Sequence, residues 1–164
     1  MGYGMGVNLA KCKNVDIYDL TIRDCWGDCI YIGTESTDMR INNCTLDHGR
    51  RQGISITSTG KVLVENCVIS NVGGTAPEYA IDVEPNKNDI VESVIIRNVT
   101  SIDCRGGFLT WGGAENCSVN NVELYDCYVK GATKPDYAFN TSNVIKVVNC
   151  TSERNYKPIN NKCK

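Results

Sequence analysis

The stretch Ile41-Asn42-Asn43-Cys44-Thr45-Leu46 returns as Val64-Glu65-Asn66-Cys67-Val68-Ile69. Ile17-Tyr18-Asp19-Leu20-Thr21-Ile22 precedes them. Ile96-Arg97-Asn98-Val99-Thr100, Leu124-Tyr125-Asp126-Cys127-Tyr128-Val129 and Val147-Val148-Asn149-Cys150-Thr151 follow. The shared pattern is an aliphatic residue, any residue, Asn or Asp, then Cys, Val or Leu. First positions lie 24, 23, 32, 28 and 23 residues apart. Recurrence at such a period marks stacked structural repeats.

A second block alternates with the first. It reads Cys29-Ile30-Tyr31-Ile32-Gly33, Gly53-Ile54-Ser55-Ile56-Thr57, Ala80-Ile81-Asp82-Val83-Glu84 and Gly107-Phe108-Leu109-Thr110-Trp111. Gly6-Val7-Asn8-Leu9-Ala10 is its first copy, and Tyr137-Ala138-Phe139-Asn140-Thr141 a weaker last one. Each alternates with the period of 2 expected of a strand. The chain holds 15 Ile and 16 Val against 6 Leu, with 18 Asn, 15 Gly and 4 Pro. β-Branched residues suit a pleated surface, while Asn and Gly suit turns, so strands and turns are predicted without helix.

Two or three short strands per repeat, with no helix between, cannot form βαβ units. They fit a parallel β-coil in which each repeat is one turn. One turn cannot bury its apolar face alone. A second turn stacked about 4.8 Å above gives every strand a hydrogen-bonded neighbour. Ile30, Ile54, Ile81 and Phe108 then form one inward column, Ile32, Ile56 and Val83 another, and Ile17, Ile41, Val64 and Ile96 a third. The Asn/Asp column (Asp19, Asn43, Asn66, Asn98, Asp126, Asn149) is expected as an internal ladder of side-chain amides. The fold class is therefore all-β, a single right-handed parallel β-helix of about six coils. Residues 1–152 form it, and 153–164 form a C-terminal cap or tail.

These six blocks, with Gly27-Asp28-Cys29-Ile30-Tyr31-Ile32-Gly33, Arg51-Gln52-Gly53-Ile54-Ser55-Ile56 and Ala80-Ile81-Asp82-Val83-Glu84-Pro85-Asn86, resemble the right-handed parallel β-helix family of pectate lyases and polygalacturonases. Among its branches the look is that of modules in phage tailspikes and pre-neck appendage proteins. The resemblance covers roughly residues 4–152 and speaks to fold more than to substrate. It implies a polysaccharide partner, a location outside the cell or on a virion tail, and a homo-oligomer, a trimer included, or a part of a longer chain. The family's capping element before the first coil is not visible in this sequence.

Composition narrows the classes further. The chain has 164 residues, one domain's worth, with 17 Lys+Arg against 19 Asp+Glu and a net charge of -2. That balance argues against a nucleic-acid module and favours neutral or amino sugars over anionic polymers. No apolar run approaches the ~18 residues of a spanning helix, so no membrane insertion is expected. Four of the 10 cysteines (Cys44, Cys67, Cys127, Cys150) share the inward phase of Leu20 and Val99. They are read as small apolar filler. Cys25 and Cys29 have poor zinc spacing, so no metal site is expected. The single histidine, His48, is read as a solvated turn residue.

Chemistry is expected on the strand Ala80-Ile81-Asp82-Val83-Glu84. With Ile81 and Val83 inward, Asp82 and Glu84 share the outer face, roughly 6.6 Å apart along the backbone. Paired carboxylates suit glycoside hydrolysis, and about 6.5–9.5 Å is the inverting separation. The longest repeat, 32 residues, contains this strand, with extra residues at 73–77 and 85–89. Loops flanking one strand make cleft walls. Asp82 and Glu84 are the candidate acid/base pair. Asp28, Arg51, Gln52 and Glu78 are candidate substrate-positioning residues, and Tyr31 and Trp111 candidate stacking rings. Tyr31 is predicted two coils before Asp82 with Ser55 between, and Trp111 one coil beyond Glu84. The hydrolase reading needs no cofactor. A polysaccharide lyase, whose branch uses Arg or Lys as base and calcium on carboxylates, is the runner-up. A non-catalytic shaft or glycan-binding module is the alternative from another class.

Overall fold

The computed structural model describes residues 4–140 and 144–154. It holds three six-stranded, all-parallel sheets and no helix among these residues. Sheet one stacks Val7–Ala10, Ile30–Gly33, Ile54–Ile56, Tyr79–Val83, Gly106–Trp111 and Tyr137–Asn140. Sheet two stacks Lys13–Tyr18, Thr37–Asn42, Thr59–Glu65, Ile90–Arg97, Ser118–Tyr125 and Val144–Val148. Sheet three stacks Thr21–Cys25, Thr45–Gly49, Val68–Ser70, Thr100–Ile102, Tyr128–Lys130 and Thr151–Ser152. The chain visits sheets one, two and three in turn, six times over. The result is a right-handed β-solenoid of about six turns, as the repeat predicts. Glu153 and Arg154 follow the last strand; Thr141 and the rest of the expected tail lie outside the described residues.

The register matches the repeat column by column. Ile30 pairs with Ile54, Ile54 with Ile81 and Ile81 with Phe108. Ile17, Ile41, Val64 and Ile96 pair in sequence on sheet two. Apart from Ile17, which packs partly buried against the core, all of these are buried. Stacked identical positions force identical volumes, so the core is a set of aliphatic columns. At its far end aromatics take over. Phe108 stacks on Tyr137 with centroids 5.5 Å apart, and the Tyr137 hydroxyl donates to the Thr151 carbonyl at 2.8 Å.

The Asn/Asp column sits at the corner between sheets two and three, where all six residues have φ between +50° and +56°. Asn and Asp tolerate this left-handed conformation better than other side chains, which is why they recur there. The ladder is on the outside, not internal: every member is exposed. A one-residue corner points its side chain away from the core. Asn43 donates to Asp19 at 2.7 Å, Asn98 to Asn66 at 2.8 Å and Asn149 to Asp126 at 3.2 Å. Asn66 instead donates to Asn42, at 2.8 Å.

The next residue turns inward. Cys44, Cys67, Val99, Cys127 and Cys150 are buried, and the nine described cysteines are free thiols. Each of those four thiols donates to the carbonyl two residues earlier, as Cys67 does to Glu65 at 3.1 Å. Leu20 departs from the column: in the outermost coil it remains 39% exposed. A second left-handed corner, between sheets three and one, carries Asp24, His48, Asn71 and Asp103 at φ between +53° and +56°.

Candidate functional site

The outer face of sheet one carries two adjacent columns. In the first, Tyr31 pairs with Ser55, Ser55 with Asp82 and Asp82 with Leu109. In the second, register runs from Gly33 through Thr57 and Glu84 to Trp111, each one position past the paired Ile32, Ile56, Val83 and Thr110. Tyr31 thus lies two coils from Asp82 and Trp111 one coil beyond Glu84, as the sequence predicts.

Asp82 is not the solvated strand residue its outward parity suggests; it is 2% exposed. Gln52 explains how it is held. The Gln52 amide nitrogen donates to Asp82 Oδ2 at 2.6 Å, and its oxygen accepts the Tyr79 backbone N–H at 2.7 Å. Gln52 stands two residues before Ile54, on the inward parity, and is fully buried. Both ends of its amide are engaged, so it supports Asp82 from behind.

Asp82 Oδ1 and Ser55 Oγ are buried with no hydrogen-bond partner. An unpartnered buried carboxylate oxygen is costly. A proton on Oδ1 removes that cost, because a neutral acid donates to a neighbouring carboxylate. Burial, followed by the charge and hydrogen bond of Glu84, pushes the Asp82 carboxyl up to about 8, with Arg51 opposing. Glu84, two residues along the same strand, is thus the neighbouring carboxyl that adds to the effect of burial.

Asp28 also lies behind the wall, fully buried, again two residues before an inward isoleucine. Burial raises its carboxyl, and Arg51 counters this with Nη1 at 3.1 Å and 3.4 Å from its two oxygens. Arg51, 23% exposed, is the cation of a cluster that includes Asp28, Asp82 and Glu84. Asp28 and Gln52 are thus buried and hold neighbouring side chains, Arg51 and Asp82 respectively.

Glu78 stands apart, tied to the loop that precedes its strand. It accepts from the Gly74 N–H at 2.8 Å and from Lys134 at 2.7 Å, with Arg105 at 3.4 Å. Lys134 and the Gly74 N–H hold its carboxyl below the usual range. Lys134 also bonds the Pro77 carbonyl at 2.8 Å, fastening the inserted loop across the coils. Repeat spacing has no signal for Lys134, because it enters from a loop. The second corner column was legible, since Asp24, His48, Asn71 and Asp103 are 24, 23 and 32 residues apart. His48 Nδ1 lies 2.8 Å from Asp24 Oδ1, both side chains well exposed.

Two other features bear on ligands. A shallow cavity of about 220 Å³, lined by Asp16, Ile17, Tyr18, Arg40 and Asn42, opens on sheet two, away from Asp82. Among the described residues no group of three His, Cys, Asp or Glu side chains is arranged to hold a metal ion.

The sequence matches the family described as right handed beta helix region over residues 2–124 and 35–160, and the chain belongs to that family. Its relatives include uncharacterized protein YclG of Bacillus subtilis (strain 168), 30% identical over 88% of this chain and 26% of YclG. The SPbeta prophage-derived uncharacterized protein YorA of the same organism is 32% identical over 50% of this chain and 16% of YorA. The chain thus spans about a quarter or less of the curated relatives it matches. No solved structure matches it.

Proposed function

We propose that this chain is a carbohydrate-active β-helix module that hydrolyses a bacterial surface polysaccharide with Asp82 and Glu84. The observation that carries the reading is Asp82: buried, locked through Oδ2 by Gln52, its Oδ1 without a hydrogen-bond partner and its carboxyl raised by burial and by Glu84. A carboxylic acid kept neutral near pH 7 is what protonation of a leaving oxygen needs. In the resting site Glu84 occupies the Asp82 proton. A glycosidic oxygen that takes Glu84's place receives that proton as the C–O bond breaks. Glu84, the half-buried and longer of the two, is then free to accept a proton from the attacking water. Two strand steps between Asp82 and Glu84, roughly 6.6 Å along the backbone, suit the separation an inverting cut requires. No metal or cofactor takes part in these steps.

The prophage-derived relative YorA supports a place on a virion tail or outside the cell; function as a homo-oligomer or as part of a longer chain belongs to the same proposal. The test is release of reducing ends from a panel of capsular polysaccharides by wild type, Asp82→Asn and Glu84→Gln. Product from wild type and at least a hundredfold less from each variant is expected, on the order of a general acid or base contribution. Equal activity in all three removes the pair. An unsaturated, ultraviolet-absorbing end would make the chain a lyase, and binding without product would make it a glycan-binding shaft.

A further inference from the structure

The half-buried Tyr31 ring and the exposed Trp111 ring, both near the carboxyl pair, each lie over a glycine two residues further along the chain. A Cβ on Gly33 would come within 2.7 Å of the Tyr31 ring and 2.6 Å of Thr57 Oγ1. A Cβ on Gly113 would collide with the Trp111 ring. Each ring is therefore laid down on bare backbone. The Tyr31 hydroxyl is tethered to Thr57 Oγ1 at 2.9 Å, and Trp111 remains 37% exposed. Thr57 and Glu84 occupy the same column between the two rings. From Gly33 to Trp111 is three coil steps, roughly 14 Å. Local charge limits what can lie there: even with Asp82 neutral, the carboxylates Asp28 and Glu84 outnumber the neighbouring Arg51, which is paired with Asp28. That surplus repels an anionic sugar.

We propose that Tyr31 on Gly33 and Trp111 on Gly113 are two stacking platforms either side of Glu84, binding an interior stretch of a linear neutral or N-acetylated pyranose chain laid across the strands. The inference rests on the reading of Asp82 and Glu84 as the acid/base pair and adds orientation, sugar class and mode of cutting. Pyranose faces rich in C–H pack on an aromatic face whose other side is already supported. Rings on both sides of the carboxyls hold sugar units on both sides of the cut, so cleavage is internal. Aromatic residues alone do not specify this. Gly33 and Gly113 do, because any side chain there would lift the ring.

The test is calorimetric titration of the Glu84→Gln protein, which does not cut, with cellohexaose and chitohexaose and with their disaccharides. At least one hexasaccharide is expected to bind, about tenfold or more tighter than its disaccharide, with Tyr31→Ala and Trp111→Ala each weakening it about tenfold. Gly113→Ala, with Trp111 present but tilted, is expected to weaken it as well. Tyr31→Phe, which keeps the ring, is the control for folding. Failure of both hexasaccharides to bind overturns the proposal, as does binding that survives both ring deletions. Wild-type release of reducing ends that both ring deletions leave intact removes the platforms while the acid/base reading stands. Loss of that release in Asp82→Asn and Glu84→Gln tests the pair separately.

Discussion

Asp82 shows how one hydrogen bond changes the meaning of a residue. Parity along its strand puts it outside; Gln52, reaching from the preceding coil, draws it into a buried site. Its carboxyl lies near 8 instead of the ordinary 3.8. Between those values the folded chain holds a proton that the unfolded chain has released, so stability falls as pH rises across that window. The Asp82→Asn variant lacks this slope. Melting temperatures between pH 5 and 8 are expected to fall in wild type more than in Asp82→Asn, a difference on the order of a few kcal/mol. Glu78 has the opposite sign, since its depressed carboxyl supports the fold at neutral pH and is lost in acid. Under the proposed hydrolysis the same proton is read out: activity is expected to decline above about pH 8, where Asp82 ionises. An alkaline limb unrelated to that value would contradict its role as the acid.

Corners and columns set the behaviour of the elements. Asn66 both donates to Asn42 and accepts from Asn98 while holding φ at +56°. Asn66→Gly keeps the backbone freedom and removes only the amide bonds, so urea titration is expected to show a loss of about 1 kcal/mol. Asn66→Ala adds the left-handed penalty, roughly another 1–2 kcal/mol. Equal losses in the two variants would mean that the corner's conformation contributes nothing. Inside sheet one, Ile81 is fully buried between Ile54 and Phe108. Truncation to alanine in a stacked column leaves a cavity that neighbours pinned by two ladders cannot close, so about 2–5 kcal/mol is expected by the same titration.

At the scale of the molecule, every strand finds its partner a full coil away in sequence. Contacts therefore form between repeats, and stability is a sum over neighbouring turns. The strands Val7–Ala10 and Tyr137–Asn140 each pair on one side only within the described residues. Open parallel edges are sites for further strands or further chains. With a curated relative about four times as long as the matched segment, extension by more coils and assembly into a trimer are both proposals consistent with those edges. Size-exclusion chromatography with light scattering is expected to show an oligomer, and a monodisperse monomer would remove the assembly.

The repeat alone determined the solenoid, its coil count, the aliphatic columns and the approach of Tyr31, Asp82, Glu84 and Trp111. Stacked positions about two dozen residues apart must become neighbours, and that is a one-dimensional fact. Which side chains reach the surface of the candidate site was decided only in three dimensions. Gln52 and Asp28 are fully buried, Lys134 arrives from a distant loop, and Asp82 is buried despite its outward parity. Spacing counts backbone steps, whereas burial and proton position depend on rotamers and on loops whose paths carry no period. The ladder divides the same way: its register follows from the repeat, but its place outside the solenoid follows from a left-handed corner that turns each side chain toward water.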